Sequence, residues 1–232
     1  MTLSTHFFDP ALERLYTQQL SGGPIAWANN TAELRQLFYQ LNQSGQDHAI
    51  MPRAYDFIQC QLKQTEKITA ANFIQDYTVD QLASLQVAPI PPLAQQHWNQ
   101  DNLHSWIKQT TAVLLNQPCW LQNISPAAAS QTLISRQLIS LYIQLTRKAQ
   151  LGVTLPQAYQ AMLLTTGITI PSLHSHSFSQ QSELIPDVLN FATLQLALSR
   201  FPRVLLPEIL GFTLAYCQMS TLIEVCFPKH LT

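Results

Sequence analysis

The stretch Phe201-Pro-Arg-Val-Leu-Leu-Pro-Glu-Ile-Leu-Gly-Phe-Thr-Leu-Ala-Tyr216 decides how this chain folds. It is nearly all hydrocarbon, with Glu208 as its one carboxylate. It reads as helix, and a helix apolar on most of its faces belongs inside a protein. A second strongly apolar helix is expected just before it, over residues 186–200, with the break at Phe201-Pro202. Apolar helices joined by so short a connection favour packed antiparallel neighbours. Further out, almost every periodic segment also reads as helix. Six glycines and few β-branched clusters leave little material for hairpins. The expected fold class is all-α, a multi-helix bundle of about eight to ten helices.

Towards the N-terminus, Asp9 and Pro10 open a helix over residues 10–20 that Ser21-Gly22-Gly23-Pro24 closes. Asn30, with Glu33 three residues on, opens the next in a pattern close to a capping box. Its Leu34, Leu37, Phe38 and Leu41 recur on one helical face. A third helix is expected over residues 52–63, and shorter ones over 70–77 and 79–85. Val87-Ala-Pro-Ile-Pro-Pro-Leu93 excludes helix and favours an extended strut. Read as a linker, residues 87–93 separate an N-terminal helical region, 1–86, from a helical bundle over 94–232. A rigid loop within one domain is the other reading. Beyond it, helices are expected over residues 103–115, 126–150 (capped by Ser125) and 156–165. Residues 171–182 read as a polar loop.

Composition bounds the partners. Of the 232 residues only 11% are charged, so polarity comes instead from 28 glutamines. The net charge of −1 offers no electrostatic case for nucleic acid or an anionic membrane. Cys60, Cys119, Cys217 and Cys226 form no C-x-x-C pair, which removes a zinc ribbon or thioredoxin motif. Residues 1–6 lack the basic and apolar regions of a signal peptide. The apolar run over residues 204–217 is shorter than the ~20 residues a membrane span needs. A cytoplasmic protein is expected.

An ionised carboxylate among hydrocarbon is costly unless paired, hydrogen-bonded or metal-bound, which makes Glu208 the first candidate site. Glu208, Gly211, Phe212 and Ala215 share a helical face, and Gly211 removes bulk where another helix or an ion would approach. Helix-bundle metal sites use inward carboxylates of this kind. The competing reading is a first-turn carboxylate, because a helix restarting at Pro207 would place Glu208 on its dipole. Partners are scarce: there is no Glu-x-x-His, and no acidic residue lies between Asp101 and Glu183. Asp187 and Glu224 are the remaining carboxylates for a metal. His97, Asp101 and His104 share one helical face at a spacing that an N/O metal site can use, and a solvated face has the same spacing. His174-Ser-His176 lies in the polar loop. His97, His104 or His174 as axial haem ligands is a weaker idea still. No phosphate loop, nucleophile elbow or HExxH is present.

Two segments together carry a family resemblance. Pro118-Cys-Trp-Leu-Gln-Asn-Ile-Ser125 and residues 198–216 resemble the bacterial iron-containing redox enzymes, which are heme-oxygenase-like di-metal oxidases. The resemblance covers roughly residues 115–227. It implies a heme-oxygenase-like bundle in the C-terminal half and a non-heme iron site of carboxylates and histidines. It also implies dioxygen-dependent oxidation of amino-acid-like or fatty-acid substrates. By motif, Glu208 corresponds to the first metal ligand. Where the family often carries a second glutamate after Leu-Ala-Tyr, this chain has Cys217. The family's later ligands, in segments followed by Gly-His, have no counterpart in residues 1–232. The resemblance therefore implies an iron-dependent oxidase or oxygenase-like protein with an incomplete metal site. A small-molecule substrate, or a second chain completing the site, is the expected partner. The alternative is a non-catalytic helical module that binds a partner protein or an apolar ligand.

Overall fold

A computed structural model of the protein describes residues 27, 30–43, 49–72, 100–124, 133–146 and 154–226. Within those helices, the side chains of 68–72, 100–103, 155 and 218–226 fall outside that description. Eight α-helices make up the described part, with no β-strand among them. They are α1 (Thr31–Leu41), α2 (Ile50–Asn72), α3 (Gln100–Leu114), α4 (Leu133–Thr146), α5 (Leu155–Thr165), α6 (His176–Ser179), α7 (Pro186–Leu198) and α8 (Leu206–Cys226). A 3-10 turn, Cys119–Leu121, follows α3. The all-α expectation holds. The expected helices over 10–20 and 79–85, the segment 87–93 and the Ser125 cap lie outside the described residues. None of the described helices is long and apolar enough to cross a membrane.

Local signals account for the helix starts. Asn30 accepts the Glu33 backbone N–H at 3.1 Å, satisfying one of the donors that a helix start leaves open. The Glu33 side chain does not complete the box; it pairs with Arg53 on α2. Leu34, Leu37, Phe38 and Leu41 are all buried, as the periodicity demands. Thr154 and Gln157 form a full capping box at α5. Pro186 occupies the first turn of α7, where its missing N–H is not needed.

Two expectations need correction. Helix α2 does not stop near Lys63 but runs unbroken to Asn72. No glycine or proline interrupts residues 54–72, so nothing ends it. Residues 171–182 are not simply a polar loop. Ser175 accepts the Phe178 N–H at 3.2 Å and starts a helical turn, α6, in which Phe178 is fully buried. The Phe178 ring stacks on Phe38 of α1 at 5.9 Å.

Helix α7 is the centre of the fold. It packs against α1, α2, α3 and the 3-10 turn. Its Leu189, Ala192, Thr193, Gln195, Leu196, Ala197 and Leu198 are all buried, so nearly its whole circumference faces protein. One core joins residues 27–58 to residues 112–209, with chain on both sides of residues 87–93 contributing. A smaller cluster of Ile107, Tyr159, Leu163 and Ile168 ties α3 to α5. There the buried Tyr159 hydroxyl donates to the Ile107 carbonyl at 2.6 Å.

Candidate functional site

Helix α8 lies against the core on one side only. Leu205, Ile209 and Thr213 are buried, while Pro207, Gly211, Leu214 and Ala215 are exposed. The expectation that this helix is enclosed on most faces therefore fails over its described part; α7 holds that place. The buried side is fixed by Trp120. Its ring meets Phe212 at 5.1 Å and Tyr216 at 4.8 Å, and its Nε1–H donates to Thr213 Oγ1 at 3.1 Å. Phe212 also meets Phe191 of α7 at 5.5 Å. The two segments that carry the sequence resemblance are thus in contact.

Glu208 is the third residue of α8 and half-buried. Burial pushes its carboxyl above the ordinary range, and a hydrogen bond from its own backbone amide opposes that rise. Its Oε2 is buried and accepts no hydrogen bond. This placement has elements of both readings: a first-turn carboxylate on the helix dipole, and an acceptor that still lacks a donor. Gly211 does not receive a close neighbour. A Cβ there would meet nothing within 4 Å.

The other candidate ligands are not gathered around Glu208. Asp187 is exposed in the first turn of α7. Glu224 lies on the same helix as Glu208, about 24 Å further along it. Glu183 is engaged by Lys108 at 2.9 Å. His104 is half-buried on α3, while His97 and the Asp101 side chain lie outside the described residues. His174 turns Nδ1 to the Asn42 carbonyl at 2.6 Å, and His176 sits edge-on to Tyr39 at 5.4 Å. Among the described residues, no three His, Cys, Asp or Glu side chains stand close enough together to hold a metal.

Sequence reasoning missed three features. Arg35 reaches from α1 to the carbonyls of Ser179, Gln181 and Leu184 at 2.5, 2.7 and 3.0 Å. Arg35 flanks the apolar stripe of α1 rather than interrupting it, so no local pattern marks this role. Gln195 is fully buried on α7, and neither polar atom of its side chain has a hydrogen-bond partner. Lastly, Gln160, Leu163, Leu164, Gly167, Ile168, Thr169 and Ile170 line a hollow of about 380 Å³ at the end of α5.

The described residues define an all-α fold with a half-buried carboxylate in the first turn of a helix that Trp120 holds to the core. No protein-family model matches the chain, and no curated protein or solved structure matches it either.

Proposed function

We propose that the chain is the helical scaffold of a non-heme iron-dependent oxidase or oxygenase with a heme-oxygenase-like C-terminal half, and that Glu208 supplies one metal ligand. The observation that carries this is the buried Oε2 of Glu208, an acceptor with no hydrogen-bond donor, in the first turn of α8 among Leu206, Pro207, Ile209 and Leu210. Such a group is expensive unless something charged or hydrogen-bonding completes it. The contact of Trp120 with Phe212 and Tyr216 adds support, because it joins the two segments that resemble iron-containing redox enzymes.

One carboxylate is not an iron site. The described residues offer Glu208 no second ligand, so their donor set does not by itself fit the metal and no chemical step is assigned to it. In this reading a second chain, or other residues of the protein, completes the set. The substrate is a small molecule of amino-acid or fatty-acid type, and the setting is the cytoplasm.

Fe(II) titration under anaerobic conditions tests the reading. The chain alone should bind less than one equivalent. Tight stoichiometric binding that disappears in Glu208→Ala would show instead that the site is complete. Indifference of metal binding to Glu208→Ala, with the completing partner present, would remove Glu208 as a ligand.

A second reading, a non-catalytic module for an apolar ligand or partner protein, is favoured by the hollow at the end of α5. Leu164 on its rim is 82% exposed. Admitting air to the Fe(II)-loaded protein separates the two. Ferric or peroxo absorbance supports the oxidase, and a silent spectrum from folded protein supports the module.

A further inference from the structure

The chain turns back on itself at the end of α5. Gly167, at φ +70°, adopts the left-handed backbone that suits glycine, and Ile168 N–H donates to the Leu163 carbonyl at 3.0 Å. Residues 168–170 then face the last turns of α5 across a hollow of about 380 Å³. That volume falls within the range of small-molecule sites, about 300–1,000 Å³. Buried Leu163 and Ile168 belong to the cluster that joins α5 to α3, so the hollow has a fixed apolar floor. Most polar side chains of this region are satisfied within the protein. Thr154 and Gln157 cap α5, Tyr159 bonds Ile107, and Thr165 and Thr166 bond carbonyls of α5. The side chains of Gln160 and Thr169 make no hydrogen bond with any described residue, and both line the hollow, one from α5 and one from the returning chain. Charge is absent: no Asp, Glu, Lys or Arg lies between Lys148 and Glu183.

We infer that this hollow binds a small neutral aliphatic molecule with one hydrogen-bonding end. Charge complementarity selects the class, because an ionised group placed there would lose water and gain no counter-charge. The aliphatic body covers Leu163, Ile168 and the exposed Leu164, removing apolar surface from water. The polar end takes the place of water on Gln160 and Thr169, each of which offers both a donor and an acceptor. A protein segment fits less well. The hollow is lined by seven residues, whereas a specific protein interface takes about 20–30 residues a side. The inference rests on the reading of the chain as a module for an apolar ligand, to which it adds the site and the ligand class.

The test titrates the full chain, ¹³C-labelled at its Leu and Ile methyls, with 1-octanol. The methyls of Leu163, Leu164, Ile168 and Ile170 should shift in a saturable way. Octanoate near neutral pH should bind about tenfold more weakly or worse, since its carboxylate finds no cation there. Gln160→Ala combined with Thr169→Val should weaken octanol binding about three- to tenfold, the loss of one net hydrogen bond. Leu164→Gln should weaken it about tenfold. All three side chains are exposed, so these variants should fold as the wild type does. Equal affinity for octanoate, indifference to either variant, or no saturable shift at these methyls would overturn the inference. The same shifts on concentrating the protein without octanol would also overturn it, by making a second copy the occupant. Saturable octanol shifts confined to other methyls, such as those of Ile134 and Ile143, would overturn this site and leave the apolar-module reading intact. Octanol bound nowhere would count against both.

Discussion

Trp120 Nε1–H donates to Thr213 Oγ1 at 3.1 Å, and Thr213 Oγ1–H donates in turn to the Ile209 carbonyl at 2.6 Å. The chain of bonds pins α8 to the 3-10 turn at the fully buried Trp120, beneath the partly buried rings of Phe212 and Tyr216. Thr213→Val keeps the shape but leaves the indole N–H without its acceptor. It should cost about 1–3 kcal/mol in urea unfolding, the price of one unsatisfied buried donor. Trp120→Ala should cost more, about 3–5 kcal/mol, because it also opens a cavity beneath Phe212 and Tyr216. Equal losses in the two variants would mean that the hydrogen bond, not the packing, dominates.

Arg35 closes three carbonyls around α6, and only a planar fork with several donors can reach all three. Arg35→Met should destabilise the protein by about 1–3 kcal/mol, and Arg35→Lys should recover little of that loss. Amide hydrogen exchange should quicken first over residues 176–184. Full recovery by lysine would show that charge alone suffices.

Glu208 binds its proton more tightly in the folded chain than in the unfolded one, because burial raises its carboxyl above the ordinary value. Between the ordinary and the raised value the folded state holds more protons. This group therefore withdraws stability as pH climbs through that window. Glu208→Gln removes the titration. Its stability relative to wild type should rise across the window and level off on either side. Unfolding curves at stepped pH measure the difference; a constant offset would mean that Glu208 titrates as an exposed carboxyl.

Burial pushes the Cys119 thiol up to about 12, so almost no thiolate exists there near neutral pH. Cys119 is partly exposed, yet its thiol should react far more slowly with a thiol reagent in the native protein than after unfolding. Cys119→Ser should therefore leave the native labelling stoichiometry unchanged. A labelled equivalent lost in that variant would show that the site opens.

The N-cap at Asn30 should contribute about 1 kcal/mol, measurable as Asn30→Ala in urea unfolding. Loss of the Glu33–Arg53 pair by Glu33→Gln should have a smaller effect, because that pair is only part-buried.

Several elements of this fold are legible from residues within one or two helical turns of each other. Asn30 and Glu33 mark the start of α1, and Leu34, Leu37, Phe38 and Leu41 mark its buried face. Pro186 marks the start of α7. Such signals are local, since capping and periodicity depend on neighbours up to four residues away. The candidate site was legible only as a lone residue. Glu208 stands out because a carboxylate is anomalous among hydrocarbon, but its surroundings depend on which helix faces it.

By itself, then, the sequence determined the helical class, the caps and the inward face of α1, because backbone hydrogen bonding and side-chain periodicity are short-range. Only the tertiary structure decided that α7 rather than α8 is enclosed. The two helices are similarly apolar, and burial depends on what packs around each. The same contacts decided that Arg35 secures α6, and that Trp120 packs against Phe212 and Tyr216. Those relations join residues far apart in the chain, and no local pattern encodes them.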